Sequence, residues 1–433
     1  MMLDPFGPWP TQRRVIWLLV ALVVGLQFGP RLIHALKPGP HELFDFYQEW
    51  SSARNVALGR SAYSPVEDHL EEYIGLHVPA GAKWWWNINP HPPTSVALAM
   101  PLQGFDYPTA FFVWNISSLL ALAVSVWLVI SGMGIRFSAW SSLPVVSVLL
   151  ASDPLFQQVA QGQLNLFLLL LLVGIWSSTR RDRPIAAGAF LALAAAIKLF
   201  PGFILLYFLV RRQWRAVCSA AISFGLVTAA TCLIVGTRTY HTYLTQVLPG
   251  ATSWKAVWNN ASIAGFWYKL FDPSGRDDRL SPLFLSPTLA TTGTLVCVAI
   301  VVALLVRTIL KSRSQRDADL AMGLTIVAML LASPVTWEHY FLLLLVPLVV
   351  IWVHLPRKLL AQLMLPVIVL ALCAPIIWLC NLMIPGGFFE GTASAIHAVT
   401  LFSFQFYALL ALFGLGIYCF AQPVDDGVAT NAD

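Results

Sequence analysis

Asp45, Gln163, Asn165, Lys198, Asn260 and His339 stand at or near the ends of long apolar runs, where a carboxylate, amides, a lysine and a histidine are costly to place without a use. A carboxylate takes the proton from a hydroxyl nucleophile, cations hold a departing phosphate, and amides fix the hydroxyls of a sugar. Transfer of a sugar from a lipid-linked phosphate needs all three kinds of group at one place. One base opposite the leaving group implies a single displacement with inversion at the anomeric carbon. Asp45 is the candidate base, and Lys198 and His339 are the candidates at the phosphate. Glu49 lies one helical turn beyond Asp45, on the same face if this segment is helical, and is its rival.

The elements that must position these groups are membrane helices. Of the 433 residues, 58% are hydrophobic and 11% charged, with a mean hydropathy of +0.72, whereas soluble globular domains carry roughly 25% charged residues. Apolar runs recur from Val15 nearly to Phe420, and continuous runs without alternation select helices over a barrel. The six cysteines lie inside apolar segments without paired or ligand spacing, so they read as packing residues. The net charge of +5 comes from short clusters between apolar runs, which reports topology and argues against nucleic acid as a partner. The first run is flanked by Arg13 and Arg14 and lacks a small-residue cleavage site, so it is expected to be retained as a span.

Arg13/Arg14, Arg180/Arg181/Arg183, Arg211/Arg212/Arg215, Arg307/Lys311/Arg313/Arg316 and Arg357/Lys358 mark the cytoplasmic side. Spans fitted between them cover 15–33, 107–131, 141–155, 164–178, 185–198, 200–211, 214–236, 288–310, 318–333, 339–354, 358–384 and 395–420. The fold expected is therefore an all-α polytopic bundle of about twelve transmembrane helices forming one domain, 1–433, with both termini inside. Residues 34–93 form a folded first extracytoplasmic loop, 237–287 a second long one, and 422–433 a disordered cytoplasmic tail. A third, short outside segment is expected around Gly386, and 92–105 is expected to be re-entrant or interfacial. Every candidate residue falls at the outer boundary.

Plainer readings stand beside these. Asp45 is also explained as a solvated carboxylate, Lys198 as an ammonium snorkelling to the interface, and His339 as a helix cap or an anchor beside Trp337 and Tyr340. Trp84, Trp85 and Trp86 suit either stacking on a sugar ring or anchoring at the headgroups. No histidine or cysteine spacing suggests a metal site. A lipid-linked-sugar transporter or flippase would also use broken helices, but with its site near the midplane and with internally repeated halves, neither of which is seen here. A non-catalytic glycolipid-binding protein is the other alternative.

The runs Phe44-Asp45-Phe46-Tyr47, Gly59-Arg60-Ser61-Ala62-Tyr63, Pro92-Pro93, Gly162-Gln163-Leu164-Asn165, Lys198-Leu199-Phe200-Pro201, Asn260-Ala261-Ser262 and Ser333-Pro334-Val335-Thr336-Trp337-Glu338-His339-Tyr340, in that order, resemble the signature of glycosyltransferase family 87. The resemblance implies the GT-C membrane fold, a bacterial cytoplasmic membrane, and a polyprenyl-phosphate-linked sugar, mannose or arabinofuranose, as donor. It implies a glycolipid or envelope polysaccharide as acceptor, membrane lipids as surroundings, and neither metal nor cofactor. Asp45 then matches the catalytic base, Lys198 and His339 match groups near the donor phosphate, and Gln163, Asn165 and Asn260 match sugar or helix-end contacts. Glu49, Arg54, Trp337 and Glu338 are secondary candidates for the same site. Two departures stand out: the proline pair follows Asn89-Pro90-His91 where an aromatic residue is usual, and Asn260-Ala261-Ser262 replaces Asn-Gln-Ser.

Overall fold

The computed structural model describes residues 10–77, 88–136, 138–273, 280–384 and 393–423. The tryptophans at 84–86, the segment around Gly386 and the tail from 424 lie outside the described residues. The described chain is helical, with a single isolated bridge between Leu280 and Ala393. In chain order the helices that build the bundle are α1 (Thr11–Leu36), α2 (Phe46–Ala57), α3 (Pro93–Ala99), α4 (Tyr107–Gly132), α5 (Ala139–Ala151) and α6 (Asp153–Gln161). They continue as α7 (Asn165–Arg180), α8 (Pro184–Ile197), α9 (Trp214–Val235), α10 (Ile263–Phe271), α11 (Pro287–Lys311) and α12 (Gln315–Ala332). The last are α13 (Leu345–Val353), α14 (Leu359–Cys373), α15 (Ile376–Met383) and α16 (Phe404–Ala421).

Their starts follow local chemistry. Asp106 caps α4 by accepting from the Thr109 N–H at 3.0 Å, with Pro108 in the first turn. Ser314 and Asp317 form a capping box on α12. The core sits around α7 and α12, in which Leu168, Leu169, Leu324 and Leu330 are fully buried. The long helices α1, α9 and α11 lie at the periphery and leave large apolar side chains uncovered, among them Leu233 at 90% exposure. Such a surface is stable against lipid rather than water. Helices α8 and α9 meet backbone to backbone: a Cβ at Gly188 would stand 2.3 Å from the Ala216 carbonyl oxygen.

One expectation needs correction. Among the described residues five helices are long and apolar enough to cross a membrane, or up to seven if each bent pair (α5 with α6, α14 with α15) is one span, rather than about twelve. Fitting spans between basic clusters counts every change of side as a full crossing, whatever the helix length. Helices α7 and α8 have 16 and 14 residues, short of the roughly 20 that hydrocarbon requires. Both are largely buried in protein. The apolar run after Pro92 is also short, a ten-residue helix over Pro93–Leu102.

The short core helices nevertheless connect two distinct ends. Helix α7 runs from Asn165 to Arg180, α8 returns from Pro184 to Lys198, and α12 runs from Gln315 to Ser333. At the basic end Arg180 pairs with Asp319, whose Oδ1 accepts from Trp176 Nε1 at 2.9 Å and Gln315 Nε2 at 3.2 Å. Arg316 there donates to the Cys419 carbonyl at 2.6 Å, and Arg211 to Ser312 Oγ at 3.0 Å. Asn165, Lys198 and Ser333 are at the opposite end, about 24 Å away along α7 at 1.5 Å per residue.

Candidate active site

At that opposite end the connections between helices enclose a cavity of about 650 Å³, whose wall includes Asp45, His91, Gln163, Lys198, Glu338 and His339. Asp45 occupies the N-cap position of α2 with helical angles (φ −55°, ψ −34°) and makes no capping hydrogen bond. A capping aspartate would stabilise the helix by about 1 kcal/mol; this one forgoes it and turns its Oδ2 to Gln163, which donates from Nε2 at 2.5 Å. The backbone before it is fixed by the Phe44 N–H, which donates to the Tyr107 hydroxyl at 3.2 Å. Phe46, Tyr47 and Trp50 of α2 pack with Tyr107 and Phe111 of α4 as a buried aromatic floor. Burial, and after it the Glu49 carboxylate, raise the Asp45 carboxyl to about 6, while His91, Gln163 and Lys198 pull the other way. At pH 7 the group is therefore mostly ionised and able to accept a proton.

Gln163 bridges Asp45 and Lys198. Its amide nitrogen serves Asp45, and its amide oxygen accepts from Lys198 Nζ at 3.3 Å. Lys198 also donates to Asn165 Oδ1 at 3.3 Å and to the Tyr340 hydroxyl at 3.4 Å, and lies over the Tyr340 ring. Asn165 in turn donates to Gln158 Oε1 at 3.1 Å. Lys198 is 4% exposed, which is incompatible with snorkelling to the interface. It leaves α8 in extended conformation (φ −140°, ψ 138°), three residues before Pro201, which stands in the first turn of the next, 3₁₀ helix.

The turn that delivers Gln163 depends on Gly162. This residue ends α6 at φ +63°, and a Cβ there would lie 2.7 Å from the Phe46 Cβ. Helix α4 adds donors to the carbonyls of this turn: Trp114 Nε1 donates to Gly162 O at 2.8 Å and Asn115 Nδ2 to Val159 O at 3.0 Å.

His339 and Glu338 open a 3₁₀ helix, Glu338–Leu344, of seven residues, longer than such turns usually run. His339 is 7% exposed and its Nε2 is buried without a hydrogen-bond partner among the described residues, so this nitrogen caps no helix. Glu338 accepts from Asn259 Nδ2 at 2.9 Å. Asn260 holds this connection in place: its Nδ2 donates to Lys255 O at 2.8 Å and Pro334 O at 3.0 Å, and its Oδ1 accepts from Thr336 N at 2.9 Å and Ser262 N at 3.0 Å. Lys269 of α10, fully buried, donates to Trp258 O and Asn260 O and so fastens the same connection from below.

Asp45, Gln163, Lys198, Trp337, Glu338 and His339 thus share one cavity wall. Asn165 stands one bond behind it. Asn260 is outside the lining, with its amide taken up by backbone. Glu49 is buried behind His91, and Arg54 lies over the rings of Trp50 and Tyr73. Tyr340, Gln158 and His91 were not singled out from sequence. His91 had a signal, since it stands where the proline pair departs from the family pattern. Among the described residues no three His, Cys, Asp or Glu side chains gather as a metal site.

A helical membrane protein with a carboxylate, an ammonium and an imidazole around one cavity at a single end of the bundle has the makings of a transferase, and the sequence places it in one. The profile of Glycosyltransferase family 87 matches residues 89–334, more than half of the chain, so the protein belongs to that family and is a glycosyltransferase. The match holds Gln163, Asn165, Lys198 and Asn260; Asp45 and His339 flank it. Among curated relatives, a polyprenol-phosphate-mannose-dependent alpha-(1-2)-phosphatidylinositol mannoside mannosyltransferase of Mycobacterium tuberculosis is 28% identical over 78% of this chain and 77% of its own. The corresponding pentamannoside mannosyltransferase of Mycolicibacterium smegmatis is 28% identical over 61% of each chain. ArnT from Cupriavidus metallidurans in the apo state aligns over 93% of this chain and 76% of its own, at 13% identity and a TM-score of 0.29.

Proposed function

We propose that this glycosyltransferase moves mannose from a polyprenyl-phosphate donor to a hydroxyl of a glycolipid or envelope polysaccharide, by a single displacement that inverts the anomeric carbon. The observation that carries the reading is the Asp45–Gln163–Lys198 chain: a carboxylate and an ammonium held at the two ends of one amide, in the wall of a cavity that also holds His339. The relatives' dependence on polyprenol-phosphate-mannose supports the choice of donor.

In this reading Asp45 accepts the acceptor's hydroxyl proton as the hydroxyl oxygen bonds to the anomeric carbon. The bond from that carbon to the phosphate oxygen breaks, and the polyprenyl phosphate leaves with its electron pair. Lys198 and His339 stabilise the charge that develops on the phosphate, and Gln163 and Asn165 hold Asp45 and Lys198 in register. A protonated Asp45 accepts nothing, so kcat/KM falls as pH drops through about 6.

The basic end, with Arg180, Arg211 and Arg316, faces the cytoplasm by the positive-inside rule. The cavity, with segments 34–93 and 237–287, then opens on the extracytoplasmic face, and both termini are cytoplasmic. The test is transfer by the purified protein in nanodiscs, supplied with radiolabelled polyprenyl-phosphate mannose and a membrane-lipid acceptor extract. Labelled product of inverted configuration is expected. Retained configuration contradicts the single displacement, and transfer only from another lipid-linked sugar displaces mannose.

A further inference from the structure

His91 stands beside Asp45 in the cavity wall and has no part in the steps above. Its Nδ1 meets the Oε1 of Glu49, a carboxylate 3% exposed, and the imidazole is 15% exposed. Glu49 lies one turn beyond Asp45 on α2, so two carboxylates share one end of that helix. Its one hydrogen-bonded partner among the described residues is His91.

The connection carrying His91 is anchored without the ring. The His91 N–H donates to Asn89 Oδ1 at 2.9 Å, and its carbonyl accepts from the Tyr63 hydroxyl at 2.8 Å. Asn89 donates to Ser52 Oγ at 3.2 Å and Gln48 O at 3.3 Å, and Pro90 and Pro92 stiffen both sides. A ring needed only to hold this loop would not require a second buried carboxylate beside the base. The charge that faces Asp45 is set by few groups: Glu49 on its own helix, His91 from the 88–92 connection, Lys198 after α8, and the neutral Gln163, Tyr107, His339 and Tyr340 from their own elements.

We propose that Glu49 and His91 are a positioning pair for the base, the His91 ring engaging the Glu49 carboxylate so that this second acid is held off Asp45 inside the cavity. The pair rests on the reading of Asp45 as the base. It acts through Asp45 and takes no proton from the substrate. With the imidazole gone, the Glu49 charge bears directly on Asp45; with Glu49 neutral, the imidazole no longer has a carboxylate to engage.

The test is the pH profile of kcat/KM for the acceptor, in nanodiscs, for the native chain, His91→Phe, His91→Gln and Glu49→Gln. His91→Phe and His91→Gln move the acid limb to higher pH, and Glu49→Gln moves it to lower pH, each by about one to two pH units for a unit charge roughly 6 Å away. Glu49→Gln together with His91→Gln returns the limb toward the native position. Glu49→Gln keeps the shape, and His91→Gln keeps a hydrogen bond to Glu49, so the opposed shifts remain readable where His91→Phe does not fold. Shifts in one direction, or a limb that stays put in both folded glutamine variants, overturn the pair. Asp45→Asn separates the two claims: full transfer by that variant removes Asp45 as base, whereas lost transfer with unmoved limbs removes only the pairing.

Discussion

The two ends of the bundle use the same kinds of side chain to opposite effect. At the basic end Asp319 collects Arg180, Trp176 and Gln315, and Arg316 is spent on the carbonyls of Cys419 and Gln422. At the cavity end Lys198 holds three partners at 3.3 to 3.4 Å, all of them neutral, and His339 keeps a buried nitrogen with none. Burying a charge is costly unless it is paired and hydrogen-bonded. One end meets that requirement within the protein and so holds helices together. Among the described residues the other leaves the Lys198 ammonium without a carboxylate in contact and the His339 Nε2 without a partner, and in the reading proposed above a phosphate completes it.

This contrast predicts separable losses. The largest is in turnover: Asp45→Asn lowers kcat about 10³-fold, within the span of general-base effects, when transfer is measured at saturating donor. Its thermal stability in nanodiscs holds or rises at pH 7, because the replacing amide still accepts from Gln163. The sign agrees with linkage: a carboxyl raised from 3.8 to about 6 on folding contributes stability below the lower value and loses it as pH rises through the upper. Lys198→Met comes next, lowering kcat by about 10²-fold through lost stabilisation of the leaving phosphate, again without a lower Tm. Asp319→Ala does the reverse. Leaving Arg180 unpaired costs about 3 kcal/mol of stability, seen as a lower Tm, while the folded fraction keeps its kcat. Gly162→Ala has the smallest effect, about 1 to 3 kcal/mol from the positive φ and the approach to Phe46, with a loss of activity that follows the displacement of Gln163. Equal losses of stability at both ends would erase the distinction.

The chemical groups were legible because polar residues at the ends of apolar runs are conspicuous, and the basic clusters gave the ends their order. What pairs with what was less legible. Glu49 and His91 are 42 residues apart and meet only because α2 packs under the connection before α3. Asn260 reads from sequence as a sugar or helix-end contact, yet two of its four hydrogen bonds to backbone, those with Pro334 O and Thr336 N, depend on the path of residues 333–337, which no local pattern reveals. The number of full-length spans was misjudged because side-swapping counts crossings and not lengths, so that the 14- and 16-residue core helices were counted alongside the 25- and 26-residue peripheral ones.

The most direct test of an unfinished charge site is the position of its missing anion. Cryo-electron microscopy of the protein in nanodiscs with a non-transferable polyprenyl-phosphate mannose analogue would locate it. The phosphate is expected within hydrogen-bonding distance of Lys198 Nζ and His339 Nε2, with the anomeric carbon between it and the Asp45 carboxylate. A phosphate bound elsewhere, with Lys198 still on Gln163, Asn165 and Tyr340 and His339 still unpaired, would contradict it.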